Sequence, residues 1–181
     1  MEHEICEAAI GGNSALLSVI SERDGQILDK FVLGYFNVPC PLHVAVSKNH
    51  IEFVTRLVQL KPELIQVLDS EQQSALHMAS AKGHVEIVRV LLRQRPQMCL
   101  ALDRDGHNAL HVAALNGKDK VLEVLVMESP HAARVRVGCG GTILHLCVRY
   151  KQLSTLMKLM DILMTRILLI PRTMMAIPFC I

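Results

Sequence analysis

The sequence predicts an all-α fold, a solenoid of about four to five stacked helix–turn–helix repeats, and three observations predict it. The segment from Ser74 to Leu92 contains two short amphipathic stretches around a glycine, and related segments begin at Cys40, Asn108 and Thr142. Each segment opens with a Leu-His pair, and the histidines recur at a constant step of 34 residues: His43, His77, His111 and His145. The prolines after the second stretch keep that step: Pro62, Pro96 and Pro130.

The first helix of each repeat has a recognisable start. Ser74, Asn108 and Thr142 are predicted to cap it, because their side-chain oxygens can accept hydrogen bonds from its free N–H groups. Cys40 lacks such an oxygen, although Pro41 suits the first turn of the helix. The sequence therefore predicts a similar helix start in all four copies.

The end of the first helix requires a residue in the left-handed conformation. Gly83 and Gly117 stand at this position, where Asn49 is the best non-glycine substitute and Lys151 is a poor one. We therefore expect the fourth copy to be the weakest.

The second helices and the loops complete each repeat. Apolar residues at i, i+3 and i+4 predict helices buried on one side: Val54, Leu57, Val58, Val88, Leu91, Leu92, Val124 and Leu125. Residues 68–70 contain Asp69, and residues 102–106 contain two Asp and one Gly; Asp and Gly favour turns, so both segments predict short hairpin turns, here called fingers.

The N-terminal region predicts a degenerate first repeat. Residues 4–11 and 14–21 carry the spacing of a helix pair, separated by Gly11 and Gly12. Residues 28–39 are predicted to form an irregular bridge. Its aromatic side chains are expected to cover the first interface between repeats: Phe31, Tyr35 and Phe36.

The residues of these segments also resemble a known repeat. The pattern Thr-Pro-Leu-His-x-Ala-Ala-x-x-Gly-His is the signature of the ankyrin repeat, and the four segments resemble it closely. The copy at Cys40 keeps the proline and the copy at Thr142 keeps the threonine, while Ala75 replaces the proline after Ser74. The resemblance implies that each repeat histidine bonds to the preceding hydroxyl and to neighbouring backbone.

Longer stretches narrow the resemblance. LVQLKPELIQVLDS, DGHNALHVAALNGKDKVLEVLV and GGTILHLCVRY resemble the plant ankyrin–transmembrane proteins, which carry an ankyrin block and a C-terminal membrane domain with a Pro-Gly-Gly motif. The resemblance covers residues 1–163 and implies a truncated defence or stress regulator. It implies a cytoplasmic location, at the cytosolic face of the plasma membrane. The predicted repeats are 2–29, 38–70, 72–104, 106–138 and 140–163.

Composition and charge exclude several classes of function. Hydrophobic residues make up 51% of the chain and aromatic residues 3%, so aliphatic side chains build the core. A net charge of +2 with interspersed signs lacks the clustered Lys and Arg of nucleic-acid-binding proteins. The six cysteines form no C-x-x-C motif, which favours a reduced intracellular compartment. The N-terminus does not resemble a signal peptide, and charged residues and proline interrupt the one candidate membrane span, residues 162–181.

Nine histidines raise the alternative of a metal or small-molecule binder, or an enzyme subunit. The repeat histidines are expected about one repeat apart, whereas a zinc site needs about four converging ligands. The sequence contains no G-x-S-x-G motif, no glycine-rich phosphate loop and no cysteine with an evident catalytic partner. We therefore predict no catalytic residue, no metal and no cofactor; histidines converging on one point would favour the alternative.

The surface that remains is the concave face of the solenoid. Stacked repeats form it from the finger tips and the outer side of the first helices. Residues there vary between copies on a constant frame, which is typical of a recognition surface for a protein partner. We call the following set the concave face: Ser47, Lys48, Ser70, Glu71, Gln73, Ala81, Lys82, Arg104, Asp105, His107, Leu115, Asn116, Arg149 and Tyr150. The sequence thus predicts a non-enzymatic protein-interaction scaffold.

Residues 164–181 fit no repeat. In the frame formed by each codon's third base and the next codon's first two, Met174–Met175 must encode Asp and Met175–Ala176 must encode Gly. The junctions that follow permit Asn-Thr-Ile-Leu-His, which opens an ankyrin repeat, so we hypothesise a tail translated out of frame. A solenoid ending before this tail would leave an uncapped end that frays or self-associates. Its exposed stripe would be Leu153, Leu156, Met157 and Met160.

Overall fold

The computed structural model describes residues 2–35, 38–136 and 141–169, with side chains described through residue 164. Within these ranges the chain forms eleven α-helices and three short 3-10 helices. Extended pairing in the same ranges is limited to one antiparallel bridge between Leu68 and Ser74. The predicted all-α fold class is therefore confirmed.

Most of the α-helices follow one another along the chain as helix–turn–helix pairs, and the remaining helices lie between the pairs. The α-helices are α1 (Glu2–Gly11), α2 (Ser14–Arg23), α3 (Ile27–Val32), α4 (Pro41–Ser47), α5 (Ile51–Leu60), α6 (Ala75–Lys82), α7 (Val85–Gln94), α8 (Ala109–Leu115), α9 (Asp119–Glu128), α10 (Ile143–Arg149) and α11 (Leu153–Leu169). The 3-10 helices follow α5, α7 and α9: Pro62–Gln66, Pro96–Leu100 and Pro130–Arg134. Proline begins each 3-10 helix because its φ suits the first turn and it has no N–H to leave unpaired.

Five helix pairs stack in two layers. The inner layer is α1, α4, α6, α8 and α10, and the outer layer is α2, α5, α7, α9 and α11; each helix packs against its neighbours in the same layer. The buried residues of α7 follow the predicted spacing: Ile87, Val88, Leu91 and Leu92. Apolar side chains between the layers form one continuous core along the stack. This arrangement is an ankyrin-type solenoid.

The bridge after the first helix pair differs from the prediction. We predicted irregular structure over residues 28–39, but Ile27–Val32 forms the helix α3. Its buried residues are Ile27, Leu28 and Phe31. Asp29, on the other side of α3, pairs with Lys61 just before the first 3-10 helix, against which α3 packs. Packing against this neighbouring repeat stabilises a helix too short to persist alone.

The aromatic residues of the bridge differ in burial. Phe31 is buried, as expected of a residue that covers the first interface, but Tyr35 is 74% exposed, so that part of the prediction is wrong. Tyr35 lies beyond the end of α3 and therefore has no helix side to direct it inward. Phe36 lies outside the described residues.

The predicted caps are present with one variation. Ser74 Oγ accepts a hydrogen bond from the third N–H of α6 at 3.4 Å, and Asn108 Oδ1 accepts the equivalent bond in α8 at 3.0 Å. Cys40 makes no side-chain bond to α4, and Pro41 occupies the first turn instead. At α10 the Thr142 hydroxyl lies 2.8 Å from the imidazole Nδ1 of the third helical residue. Local sequence therefore determines where each inner helix starts.

A left-handed residue lies one or two positions beyond the inner helix in all four copies. The φ angle is 62° at Asn49, 85° at Gly83, 63° at Gly117 and 57° at Lys151. Glycine has no Cβ and adopts this conformation without strain, whereas a lysine does not. The prediction from the recurring glycine is confirmed.

We expect Lys151→Gly to stabilise the protein by about 1 kcal/mol, because it removes the Cβ from a left-handed position. Urea unfolding followed by circular dichroism measures the change. The matched control is Lys120→Gly, the same substitution within α9, which should destabilise by about 1 kcal/mol. A lower unfolding midpoint for Lys151→Gly would contradict the prediction.

The last helix crosses the predicted end of the repeats. Helix α11 continues past residue 163 to Leu169. Residues 170–181 lie outside the described part of the chain, so the out-of-frame hypothesis remains a prediction.

Three of the four residues expected in the terminal stripe are exposed: Leu153, Met157 and Met160. The fourth, Leu156, packs against the core, so its assignment to the stripe is wrong. Leu156 lies at the edge of the stripe, next to the side of α11 that carries the buried Leu159, and it is only half-buried.

Candidate protein-binding face

Two fingers between repeats have the same internal hydrogen bonds. Asp69 Oδ1 accepts from the backbone N–H groups two and four residues later, at 2.9 and 2.8 Å. Asp103 repeats this arrangement in the next finger, at 3.0 and 2.8 Å. The Asp69 N–H donates to the Gln73 carbonyl at 2.9 Å, and the Asp103 N–H donates to the His107 carbonyl at 2.8 Å. The two aspartates therefore hold both fingers in one shape.

Two of the repeat histidines, His43 and His77, each join an inner helix to the finger that follows it. Nδ1 of His77 accepts from the Ser74 N–H at 3.2 Å, which assigns the proton to Nε2, and Nε2 donates to the His107 carbonyl at 3.1 Å. Nε2 of His43 makes the equivalent contact with the Gln73 carbonyl at 3.1 Å. The Ser74 hydroxyl lies 2.8 Å from Nδ1 of His77, as the resemblance implied. These histidines thus position the fingers along the concave face.

Burial keeps these imidazoles neutral. It lowers the pKa of His43 and the pKa of His77 below the ordinary value of histidine. Burial also lowers the pKa of His111 to about 4, with a smaller contribution from repulsion by His107. Nε2 of His111 is buried without a hydrogen-bond partner among the described residues, unlike Nε2 of His43 and His77. Protonation of these rings therefore opposes folding.

A pocket of about 640 Å³ opens on the concave side, between the bridge after α3 and the first finger. Its apolar walls are formed by Phe31, Val38, Pro39, Val44, Val67, Leu68 and Met78. Its polar lining includes Ser47, Lys48, Asp69 and Ser70. Apolar walls with a few polar groups at the edge are typical of a binding pocket.

The fourteen predicted residues are all accessible to solvent to some degree. Ser47, Gln73, Ala81, His107 and Leu115 are half-buried, and the other nine are exposed. Such exposure permits contact with a partner but does not identify one.

Some members of the concave face lie together and others do not. Ser47, Lys48 and Ser70 line the same pocket. Arg104 of one finger approaches Glu71 of the preceding finger at 3.8 Å, so these two side chains form an exposed ion pair between fingers.

At the far end of the face, the guanidinium of Arg149 lies 6.0 Å from the ring centre of Tyr150. Asn116 bonds within its own helix, donating from Nδ2 to the Val112 carbonyl at 2.8 Å. The concave face is therefore a series of local groups along the stack.

Sequence reasoning missed the apolar walls of the pocket. Val44 and Met78 follow the repeat histidines directly and are half-buried, facing the groove. The signal was present, because the residue after the histidine is apolar in every copy: Val44, Met78, Val112 and Leu146.

A metal site or a nucleophilic cysteine would support the alternative functions, and the described residues were predicted to contain neither. Across residues 2–35, 38–136 and 141–164, three or more His, Cys, Asp or Glu side chains do not come together at any position that could hold a metal ion. Burial raises the pKa of Cys40 and the pKa of Cys99 to about 11, which keeps both thiols protonated and poorly nucleophilic.

None of the helices in the described part of the chain combines the length and the apolar character needed to cross a bilayer.

Comparison with known proteins agrees with the geometry. A family model described as ankyrin repeats (3 copies) matches residues 5–100 and, in a second overlapping match, residues 42–139. No curated protein matches the sequence. The matched residues include four of the five helix pairs, their left-handed helix ends and both fingers. Ankyrin repeats are in general non-enzymatic scaffolds for protein partners, and this chain belongs to the ankyrin-repeat family.

Proposed function

We propose that this protein is a scaffold whose concave face binds another protein. The observation that carries the proposal is the apolar pocket between the bridge and the first finger, with Lys48 at its edge and the remaining accessible residues in line along the stack. Such a surface offers an apolar anchor site beside polar groups that can select a partner. Histidines and aspartates hold the fingers in place, so binding requires little ordering of the face.

We expect combined replacement of Arg104, Asp105 and Tyr150 by alanine to reduce partner capture at least about tenfold, because each supplies exposed contact area or charge on the concave face. Partners are captured by photo-crosslinking from a reactive side chain at position 82 and identified by mass spectrometry. Unmodified wild-type protein should compete for the crosslink, whereas the triple variant should not.

Two controls keep this experiment specific. A reactive side chain at Glu86, which is exposed on α7, should not crosslink the same partner. The triple variant should keep the helicity and melting temperature of the wild type, since all three side chains are exposed. Equal competition by the triple variant and the wild type would mean that the partner binds elsewhere on the molecule.

We further propose that the chain serves as the ankyrin part of a plant ankyrin–transmembrane-type defence or stress regulator, at the cytosolic face of the plasma membrane. Support comes from the stretches of sequence that resemble those proteins. The coding sequence provides a test of the related tail hypothesis: bases around codons 174–181 should spell an ankyrin repeat in the shifted frame. If that frame contains a stop or no repeat, the hypothesis of a frameshifted tail is wrong.

A further inference from the structure

The last helix pair leaves a row of apolar side chains in water. Leu153, Met157 and Met160 are 66%, 69% and 46% exposed along one side of α11. The residues that correspond to Met160 in α7 and α9, Leu92 and Val126, are 2% and 0% exposed. Inside the stack, this side of an outer helix is covered by the next outer helix. The exposed row is thus the surface on which another repeat would pack.

Two contacts define how one outer helix meets the next. Asp119, the first residue of α9, accepts a hydrogen bond from Thr155, the third residue of α11, at 2.8 Å. Glu123, the fifth residue of α9, pairs with Lys158, the sixth residue of α11, at 2.7 Å. At the contact of α9 with α11, the stacking register therefore places the first and fifth residues of the earlier helix against the third and sixth of the later one.

The first and fifth residues of α11 are Leu153 and Met157, and both are exposed. In α9 these positions carry the carboxylates of Asp119 and Glu123. At these two positions the exposed side of α11 is therefore apolar, whereas the corresponding side of α9 is acidic. It would require apolar side chains at the third and sixth positions of whatever outer helix packs on it.

The first outer helix, α2, carries apolar side chains at those two positions. Gly12 is left-handed and lies two residues before α2, as Gly117 lies two residues before α9, which aligns the two helices. The third and sixth residues of α2 are Leu16 and Val19, which are 38% and 49% exposed. At the third position the other outer helices bury their apolar residues completely: Phe53 in α5, Ile87 in α7 and Val121 in α9.

We propose that a second copy of this chain stacks head to tail on the first, α2 of one copy packing on α11 of the other. The stack's own register then brings Leu153 against Leu16 of the next copy and Met157 against Val19 of the next copy. Two apolar pairs replace the two polar pairs that join α9 to α11. Burial of these side chains drives the association.

The contact is heterologous, because each copy uses a different end. Every copy in such an assembly keeps one face of each kind free, so association continues into a linear stack. The proposal goes beyond the concave-face function and needs no other protein. It also differs from simple self-association of the C-terminal end, which would pair α11 with α11.

Sedimentation velocity over a range of protein concentrations tests the proposal on the full 181-residue chain. We expect the wild type to sediment faster as concentration rises, without a plateau at the dimer. Met157→Glu and Val19→Lys should each reduce the association constant at least about tenfold, since each buries an unpaired charge against an apolar side chain. The double variant carrying both changes should recover association, because its Glu–Lys contact reproduces the Glu123–Lys158 pair.

Matched controls are Gln94→Glu and Gln94→Lys, which introduce the same charges at an exposed residue away from both ends and should leave association unchanged. Circular dichroism and melting temperature verify that every variant is folded. A wild type that remains monomeric at all concentrations overturns the proposal. So does association that Met157→Glu abolishes and Val19→Lys leaves intact, which would indicate α11 paired with α11. Failure of the double variant to associate would disprove the proposed register.

Discussion

Leu91→Ala is expected to destabilise the protein by about 3 kcal/mol, the range of a large-to-small change in a packed core. Leu91 is fully buried in α7, and α7 packs between α5 and α9. The substitution leaves a cavity that weakens the contacts of the middle repeat with its neighbours. Because each repeat of a solenoid depends on its neighbours, the loss should appear in the unfolding of the whole array.

Urea unfolding followed by circular dichroism measures this effect through the midpoint and the slope of the transition. Leu60→Ala is the matched control, because Leu60 is at the exposed end of α5, 39% accessible, and the same change there should cost less than about 1 kcal/mol. Equal midpoints for Leu91→Ala and the wild type would show that the repeat register assigned to α7 is wrong.

Acidification from pH 7.5 to 5 is expected to lower the free energy of unfolding by about 2 kcal/mol through His111 alone. Burial lowers the pKa of His111 to about 4, so the folded state binds fewer protons than the unfolded chain across this interval. The stabilising contribution is complete above the unfolded pKa of about 6.5 and is lost as the pH falls towards the folded pKa. His43 and His77 change stability in the same direction, because burial lowers the pKa of each.

The test compares urea midpoints at the two pH values for the wild type and His111→Gln. The variant should be less stable than the wild type at pH 7.5. Because glutamine does not titrate, the variant should also lose less stability than the wild type on acidification. Asp103 and His107 lie near His111, which makes His107→Gln the matched control for neighbouring charge. If His111→Gln and the wild type lose equal stability between the two values, His111 is not the source of the pH dependence.

Local features were predictable because each is encoded within a few residues. Ser74 and Asn108 cap their helices through bonds that span three residues. The left-handed helix ends follow from the glycines at 83 and 117, and they recur at Asn49 and Lys151 because the same turn recurs. The 34-residue period of the Leu-His pairs was sufficient to predict the solenoid, since repeats with a common buried stripe can only stack on one another.

The candidate site was predictable only in outline. The sequence indicated which loops and helix sides form the concave face, and those residues are accessible to solvent. It did not indicate the pocket, because Val44 and Met78 look like core residues until the bridge and the finger are placed around them. Nor did it indicate that Nε2 of His111 would have, among the described residues, no equivalent of the carbonyl that His77 contacts in the next finger.

The sequence alone thus determined the repeat, its caps and its turns, all of which depend on residues near each other in the chain. Tertiary structure decided which apolar residues are covered. Leu156 and Met157 are adjacent and both apolar, yet one packs against the core and the other is exposed, because α9 covers only one side of α11. Leu16 looks like an ordinary core residue in the sequence, whereas the exposure of Met157 was expected. That the two residues share a stacking register follows only from the opposite ends of the stack on which they lie.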